Sequence, residues 1–170
     1  MQDWIEFDEL SLELRSQKCA PDVETLVRIG EWKSYGRNRY LFKGNRKNEV
    51  IGITSAAFKT IEEPNKEEAS WKAMELLAWS DKKLRGVGIP MVSLLISMYE
   101  PRNFAVIDRY VWNLLFPRKK LLEGGSISNK QQWFDFISEV RKLADNNDMS
   151  CRDIEAALWL KWSYSETSQP

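Results

Sequence analysis

Apolar residues recur at helical spacing along most of the chain. Between residues 47 and 62 they return every three or four positions, which places them on one face of a helix that ends before Pro64. The segment 66–79 is rich in strong helix formers and is apolar around much of its circumference, so we expect it to lie centrally. The same spacing predicts further helices over residues 21–32, 130–148 and 152–162.

A glycine turn and an aspartate interrupt the middle of the chain. Gly86 and Gly88 separate two predicted helices, and Pro90 stands where the first turn of a helix tolerates proline. The pattern therefore predicts a helix over residues 89–99. Asp108 precedes a shorter apolar run, which is the position and residue type of a helix N-cap.

Strand signals are weak by comparison. The tetrapeptide RYLF at 39–42 is a weak strand candidate. The last predicted helix has two possible caps, Ser150 and Asp153. We therefore predict an all-α fold, one compact helical domain over residues 1–170 with seven or more helices and a flexible tail at 164–170.

Composition agrees with a folded helical domain. The chain has 170 residues, 43% of them apolar and eight of them tryptophan, which is enough to bury a core. No uncharged apolar run approaches the ~18 residues of a membrane span, and the acidic N-terminus does not have the pattern of a signal peptide. Cys19 and Cys151 match no metal or redox spacing, so a reduced cytoplasmic setting is the simplest interpretation, with a disulfide still possible.

The chain contains no histidine. This excludes Ser-His-Asp hydrolysis, Cys-His proteolysis and the common zinc enzymes. Any chemistry must use carboxylates, lysines, tyrosines or water.

A net charge of zero conceals an uneven distribution. Residues 33–47 carry six basic and no acidic residues, and residues 82–120 carry eight basic and two acidic ones. The remainder holds eleven basic and 23 acidic residues. The pattern indicates a basic face for a polyanion if the two stretches meet in space, and ordinary charge scatter if they do not.

The glycine turn has the composition of a phosphate anchor. Glycine permits positive φ and leaves room for a ligand, so the amides of Gly86, Val87 and Gly88 can point outward ahead of a helix. The carbonyls of the Gly86–Gly88 turn could also hold a monovalent cation such as K⁺ or Na⁺. Three neighbouring basic side chains add positive charge: Lys82, Lys83 and Arg85.

The stretch LRGVGIPMVSLLI followed by VIDRYVW resembles the helix-hairpin-helix signature of the DNA glycosylase superfamily. The resemblance is detailed over residues 66–116, and the helical remainder is compatible with it. It implies a glycosylase-like helical fold and a catalytic role for Asp108, because a carboxylate stabilises positive charge on the sugar and orients or deprotonates the nucleophile. The structural alternative is an ordinary turn and an ordinary helix cap.

The chain departs from the family pattern at one informative position. Members with lyase activity carry a nucleophilic lysine two residues after the second hairpin glycine, where this chain has Pro90. The resemblance therefore implies a branch without the catalytic lysine, either uncharacterised or 8-oxoguanine-glycosylase-like, that uses water. Lys82 or Lys83 could replace that lysine, although phosphate contact is their usual role. Two cysteines cannot build the iron–sulfur cluster of some members.

A glycosylase also needs a pocket for an extruded base, with aromatic faces and a few polar groups. For every tryptophan, core packing is the competing interpretation. The candidates for base or DNA contact are Trp32, Lys33, Arg37, Arg39, Trp159 and Trp162.

Three hypotheses follow for the function. The first is a monofunctional glycosylase, a monomer acting on double-stranded DNA in the cytoplasm with the nucleoid, without a cofactor beyond the hairpin cation. The second is a non-catalytic helix-hairpin-helix DNA-binding protein. The third is a protein–protein scaffold, which leaves the basic stretches unexplained.

Overall fold

The computed structural model describes residues 4–34, 39–81, 83–121 and 126–167. Within these ranges the chain is predominantly helical and forms no strand, which confirms the all-α prediction. Nine α-helices and one π-helical turn are present there: α1 (Trp4–Gln17), α2 (Val23–Ser34), α3 (Arg39–Phe42), α4 (Lys47–Ile61), α5 (Lys66–Met74) with its π-helical continuation (Glu75–Trp79), α6 (Ile89–Tyr99), α7 (Arg109–Leu115), α8 (Lys130–Asn147) and α9 (Cys151–Thr167).

The core is built around α6. Its buried face extends over every residue from Met91 to Tyr99, and it contacts α1, α2, α4 and α5. The segment 66–79, which we expected to be central, contacts α4, α6 and α8 and buries one side, but it exposes Trp79, so α6 is the more deeply buried of the two. The reason is composition: α6 carries no charged residue, whereas 66–79 has charged residues on its outer side.

Two N-terminal elements differ from the pattern-based expectations. The weak strand candidate at 39–42 is wrong, because these residues form the single helical turn α3. Tertiary packing overrides the local preference there, since the turn buries Phe42 against neighbouring elements. Helix α1 was not predicted at all, and it buries Phe7, Leu10 and Leu14.

Helix α9 starts with a reciprocal cap that uses both predicted residues. The Asp153 N–H donates to Ser150 Oγ at 3.0 Å, and the Ser150 N–H donates to the Asp153 carboxylate at 3.3 Å. The next two amides, of Cys151 and Arg152, donate to the carbonyls of Arg102 and Pro101. The start of α9 is therefore fixed to the chain that follows α6.

Buried hydrogen bonds connect the remaining helices. Ser11 Oγ donates to the Met98 carbonyl at 2.5 Å, and Trp133 Nε1 donates to Ser70 Oγ at 2.8 Å. Both cysteines are buried free thiols. None of the helices in the described ranges has the length and apolar character of a membrane span. The tail predicted at 164–170 is helical as far as Thr167, and the last three residues lie outside the described part of the chain.

Candidate functional site

The two glycines of the hairpin turn have different surroundings. Gly86 has φ +80°, and a Cβ atom placed there would lie 2.9 Å from Leu41 Cβ and from the Phe42 ring. Gly88 has an extended backbone (φ −100°), is exposed, and a Cβ atom there would meet no atom of the described residues within 4 Å. Gly86 is thus required by the fold, whereas Gly88 leaves open space beside the start of α6.

Asn45 holds the hairpin turn in place. Its side-chain carbonyl accepts the Arg85 N–H at 2.7 Å, and its amide donates to the Arg85 carbonyl at 3.0 Å and to the Phe42 carbonyl at 2.8 Å. These bonds bring the basic stretch 33–47 against the hairpin. The sequence left open whether the two basic stretches meet, and at this point they do.

A cleft of about 620 Å³ lies between the start of α4 and the hairpin turn. Three exposed basic side chains border the cleft: Arg46, Lys83 and Arg85. None of the three forms an ion pair with another described residue. Its one acidic residue, Glu49, accepts the Arg46 N–H at 3.1 Å. The residues that line the cleft are Gly44, Asn45, Arg46, Asn48, Glu49, Gly52, Ile53, Lys83 and Arg85.

The turn carbonyls are partly engaged. The Gly88 carbonyl accepts the N–H groups of Met91 and Val92, both at 2.9 Å, so it belongs to the first turn of α6. Gly86 and Val87 remain to supply carbonyls for the predicted monovalent cation, which stays a prediction. The Val87 side chain is buried and anchors the turn.

Asp108 is the N-cap of α7, as its position in the sequence predicts. Its Oδ1 accepts the Tyr110 N–H at 2.8 Å. The preceding residue, Ile107, is fully buried and donates its N–H to Ser93 Oγ at 3.0 Å. Because Ser93 belongs to α6, the hairpin helix itself positions the aspartate.

The second oxygen of Asp108 faces a lysine. Lys33 Nζ, from the last turn of α2, lies 3.3 Å from Asp108 Oδ2, and the two side chains are only 16% and 19% exposed. Burial lowers the pKa of Lys33, the Asp108 carboxylate opposes that shift, and the charge of Arg152 adds to it. The sequence singled out both residues for separate roles, and the structure places them in contact.

A third charged residue, Arg152, acts electrostatically on Lys33 and was missed by sequence reasoning. We call Lys33, Asp108 and Arg152 the Lys33–Asp108 cluster. Arg152 is buried, pairs with Glu155 on the next turn of α9, and its guanidinium lies against the rings of Trp4, Phe7 and Trp32 at 4.5–5.3 Å. No group in the described part of the chain forms a hydrogen bond with its Nε or Nη2 atom. Burial lowers the pKa of Arg152 to about 10. An arginine in the first turn of a helix gives no signal that it will be buried.

The other predicted contact residues have separate surroundings in the part of the chain that the structure describes. Trp32 is 6% exposed and packs edge-on against Trp4, so it belongs to the core. Trp159 is partly buried against the core, and Trp162 stacks on Tyr110 with ring centroids 3.6 Å apart. Arg37 and Lys82 lie outside the described residues, and of Arg39 the structure describes only its place in α3.

A scan of protein-family models found no match, and neither the curated proteins nor the solved structures contain a significant match to this chain. Any function assigned to the site therefore has to rest on its own residues and geometry.

Proposed function

We propose that the protein binds double-stranded DNA through its hairpin and hydrolyses the N-glycosidic bond of a damaged or modified base. Asp108 is the residue assigned to catalysis. The observation that carries the proposal is the position of this carboxylate, which the hairpin helix fixes through Ser93 and which the Tyr110 N–H and the Lys33 ammonium hold at the start of α7.

The hairpin supports the DNA-binding half of the proposal. Exposed Lys83 and Arg85 flank a turn whose Gly88 leaves the backbone accessible at the start of α6, an arrangement suited to a phosphate oxygen. Arg46 extends the positive charge across the adjoining cleft. Contacts of this kind bind the DNA backbone and carry no base specificity.

The chemistry of the cluster supports the second half. Breaking an N-glycosidic bond develops positive charge on the sugar, and a fixed carboxylate stabilises that charge and orients the attacking water. The described part of the chain offers no group of three or more Cys, Asp or Glu side chains that could hold a metal ion. Asp108 and Lys33 form a charged pair directly after Ile107, the residue that Ser93 of the hairpin helix holds.

The test is the release of free base from duplexes that each carry one damaged or modified base. Asp108→Asn should reduce release by at least about 100-fold while DNA affinity is retained. Asp22→Asn is the matched control, because Asp22 also accepts a backbone N–H at a helix start, from Thr25 at 2.8 Å, and should leave release unchanged. If Asp108→Asn releases base as fast as the wild-type protein does, Asp108 is not the catalytic residue.

One observation favours a second candidate, a non-catalytic DNA-binding protein. Both oxygens of Asp108 already have partners, one in the cap and one in the ion pair, so the residue also fits a purely structural role. In that case the wild-type protein binds DNA with a salt-dependent affinity and releases no base from any duplex of the panel.

A further inference from the structure

The cleft between the start of α4 and the hairpin turn carries charge that the described protein leaves unbalanced. Its lining has three positive side chains and one negative side chain, which gives a net charge of +2. A second cleft, of about 510 Å³ beside Trp79, differs in this respect, because its lysine, Lys72, is joined to Glu63 at 2.9 Å. Unpaired charges of one sign around a cavity concentrate the electric field there and attract an anion.

A glycine in the wall of this cleft has no packing reason among the described residues. Gly52 lies in the second turn of α4, where glycine is less favourable than any residue except proline. It is exposed, and a Cβ atom there would meet no atom of the described residues within 4 Å. A glycine at such a position lets a ligand lie directly against the helix backbone.

The cleft follows one face of α4 and changes character along it. Asn48 and Gly52 both line it and are four residues apart, which is the spacing of neighbours on a helix face. The hairpin turn adjoins the start of the helix, where Arg85 is bonded to the residue before the N-cap. From Arg46 to Gly52 the helix rises about 9 Å. The cleft is therefore cationic at one end, and its wall is glycine and the apolar Ile53 at the other.

We propose that this cleft binds a nucleoside diphosphate or triphosphate. The phosphates lie against the basic side chains at the start of α4, and the nucleoside lies along the helix at Gly52. The volume of about 620 Å³ is in the range of small-molecule sites, and guanidinium groups match the geometry of phosphate oxygens. The Asn48 side chain is exposed and has no hydrogen bond within the described chain, so its amide can donate to and accept from the edge of a base.

The position of the cleft predicts competition between the nucleotide and DNA. Lys83 and Arg85 border the cleft and also flank the hairpin turn that we propose to bind DNA. A nucleotide that occupies these two side chains removes them from the DNA phosphates, so it should weaken DNA binding. Only this consequence rests on the proposed function, and the nucleotide site does not.

The experiment is a calorimetric titration of the full chain with adenosine diphosphate at low salt, without DNA. Pyrophosphate and adenosine serve as probes of the two ends of the cleft. We expect adenosine diphosphate to bind at least about 10-fold more tightly than either probe, because it alone contacts both ends. Added to a DNA titration, it should lower the affinity of the wild-type protein for DNA.

The informative variant is Gly52→Leu, because leucine favours the helix and its side chain would enter the space of the nucleoside. It should weaken binding of adenosine diphosphate by at least about 10-fold, without a fall in the urea midpoint and with pyrophosphate binding unchanged. Ser55→Leu is the matched control, since Ser55 is exposed on the same helix but does not line the cleft, and it should bind normally. Arg46→Gln should weaken both phosphate ligands alike, by about 3- to 10-fold.

Three results would overturn the assignment. They are no binding of adenosine diphosphate to the wild-type protein, binding of pyrophosphate as tight as that of adenosine diphosphate, or an undiminished affinity for adenosine diphosphate in Gly52→Leu. Since the titration contains no DNA, these results are independent of base release. A protein that binds the nucleotide and releases no base keeps this site and loses the proposed function, and the reverse pattern does the opposite.

Discussion

The hairpin turn and the Lys33–Asp108 cluster both contain basic residues, but they hold them in opposite ways. At the turn, Lys83 and Arg85 are exposed and form no ion pair within the described chain. In the cluster, Lys33 and Asp108 are more than four-fifths buried and joined at 3.3 Å. Exposed charges attract a polyanion from a distance and are screened by salt, whereas buried charges act over a few ångströms and are screened little. The difference divides the proposed function into attachment and chemistry.

The largest effect that we expect distinguishes the two glycines of the turn: Gly86 is needed for the stability of the fold, and Gly88 for DNA binding. Gly86→Ala should lower the free energy of unfolding by about 2–4 kcal/mol, because alanine is strained at positive φ and its Cβ meets the Phe42 ring. Gly88→Ala should change stability by less than about 0.5 kcal/mol and weaken DNA binding, because its methyl group enters open space that a phosphate would use. Urea unfolding and DNA titration measure the two effects.

That contrast between the glycines depends on the space beside Gly88 being unoccupied in the isolated protein. If Gly88→Ala is as destabilising as Gly86→Ala, that space is filled by other atoms. If it binds DNA as tightly as the wild type, the phosphate does not approach there.

The next effect tests how the hairpin helix positions the cluster. Ser93→Ala removes the acceptor of the buried Ile107 N–H and should destabilise the protein by about 1–3 kcal/mol. Base release should fall as well, because Asp108 follows Ile107 directly. Unfolding by urea and release from a modified duplex are the measurements.

Ser97→Ala is the matched control for that experiment. Ser97 is equally buried on the same helix, but its hydroxyl donates to the Leu94 carbonyl one turn earlier and accepts no distant N–H in the bonds of the described chain. Ser97→Ala should lower the free energy of unfolding by less than Ser93→Ala does, and it should leave base release unchanged. Equal losses from both variants would mean that Ser93 does not position Asp108.

Sequence reasoning reached the local features of both regions. The cap by Asp108 was predictable because its partner, Tyr110, is two residues away, and the start of α6 because Gly88 and Pro90 are adjacent to it. The start of α9 was predictable for the same reason: Ser150 and Asp153 were the two alternative caps, and the structure uses both. These features depend on interactions within one helical turn, which residue types alone indicate.

The contacts that assemble the site could not be predicted in the same way. Lys33 and Asp108 are 75 residues apart, and Asn45 reaches Arg85 across 40 residues. Such pairs depend on how helices pack, and one sequence does not encode that packing in any local pattern. Arg152 is the clearest case, since burial of an arginine among aromatic rings contradicts the usual expectation for its type.

The smallest effect that we expect is a change in the salt dependence of DNA binding by the hairpin turn. A phosphate contact releases counterions, so the slope of log affinity against log salt should become shallower by about 0.9 for each contact removed. Lys83→Gln and Arg85→Gln should each produce this change. Lys142→Gln is the control for an exposed lysine elsewhere, because Lys142 lies on α8 beside Glu139. Lys33→Gln should leave the slope almost unaltered, because Asp108 already balances that charge. A slope that responds to Lys33 as strongly as to Lys83 would show that the cluster binds phosphate too, and the division between attachment and chemistry would fail.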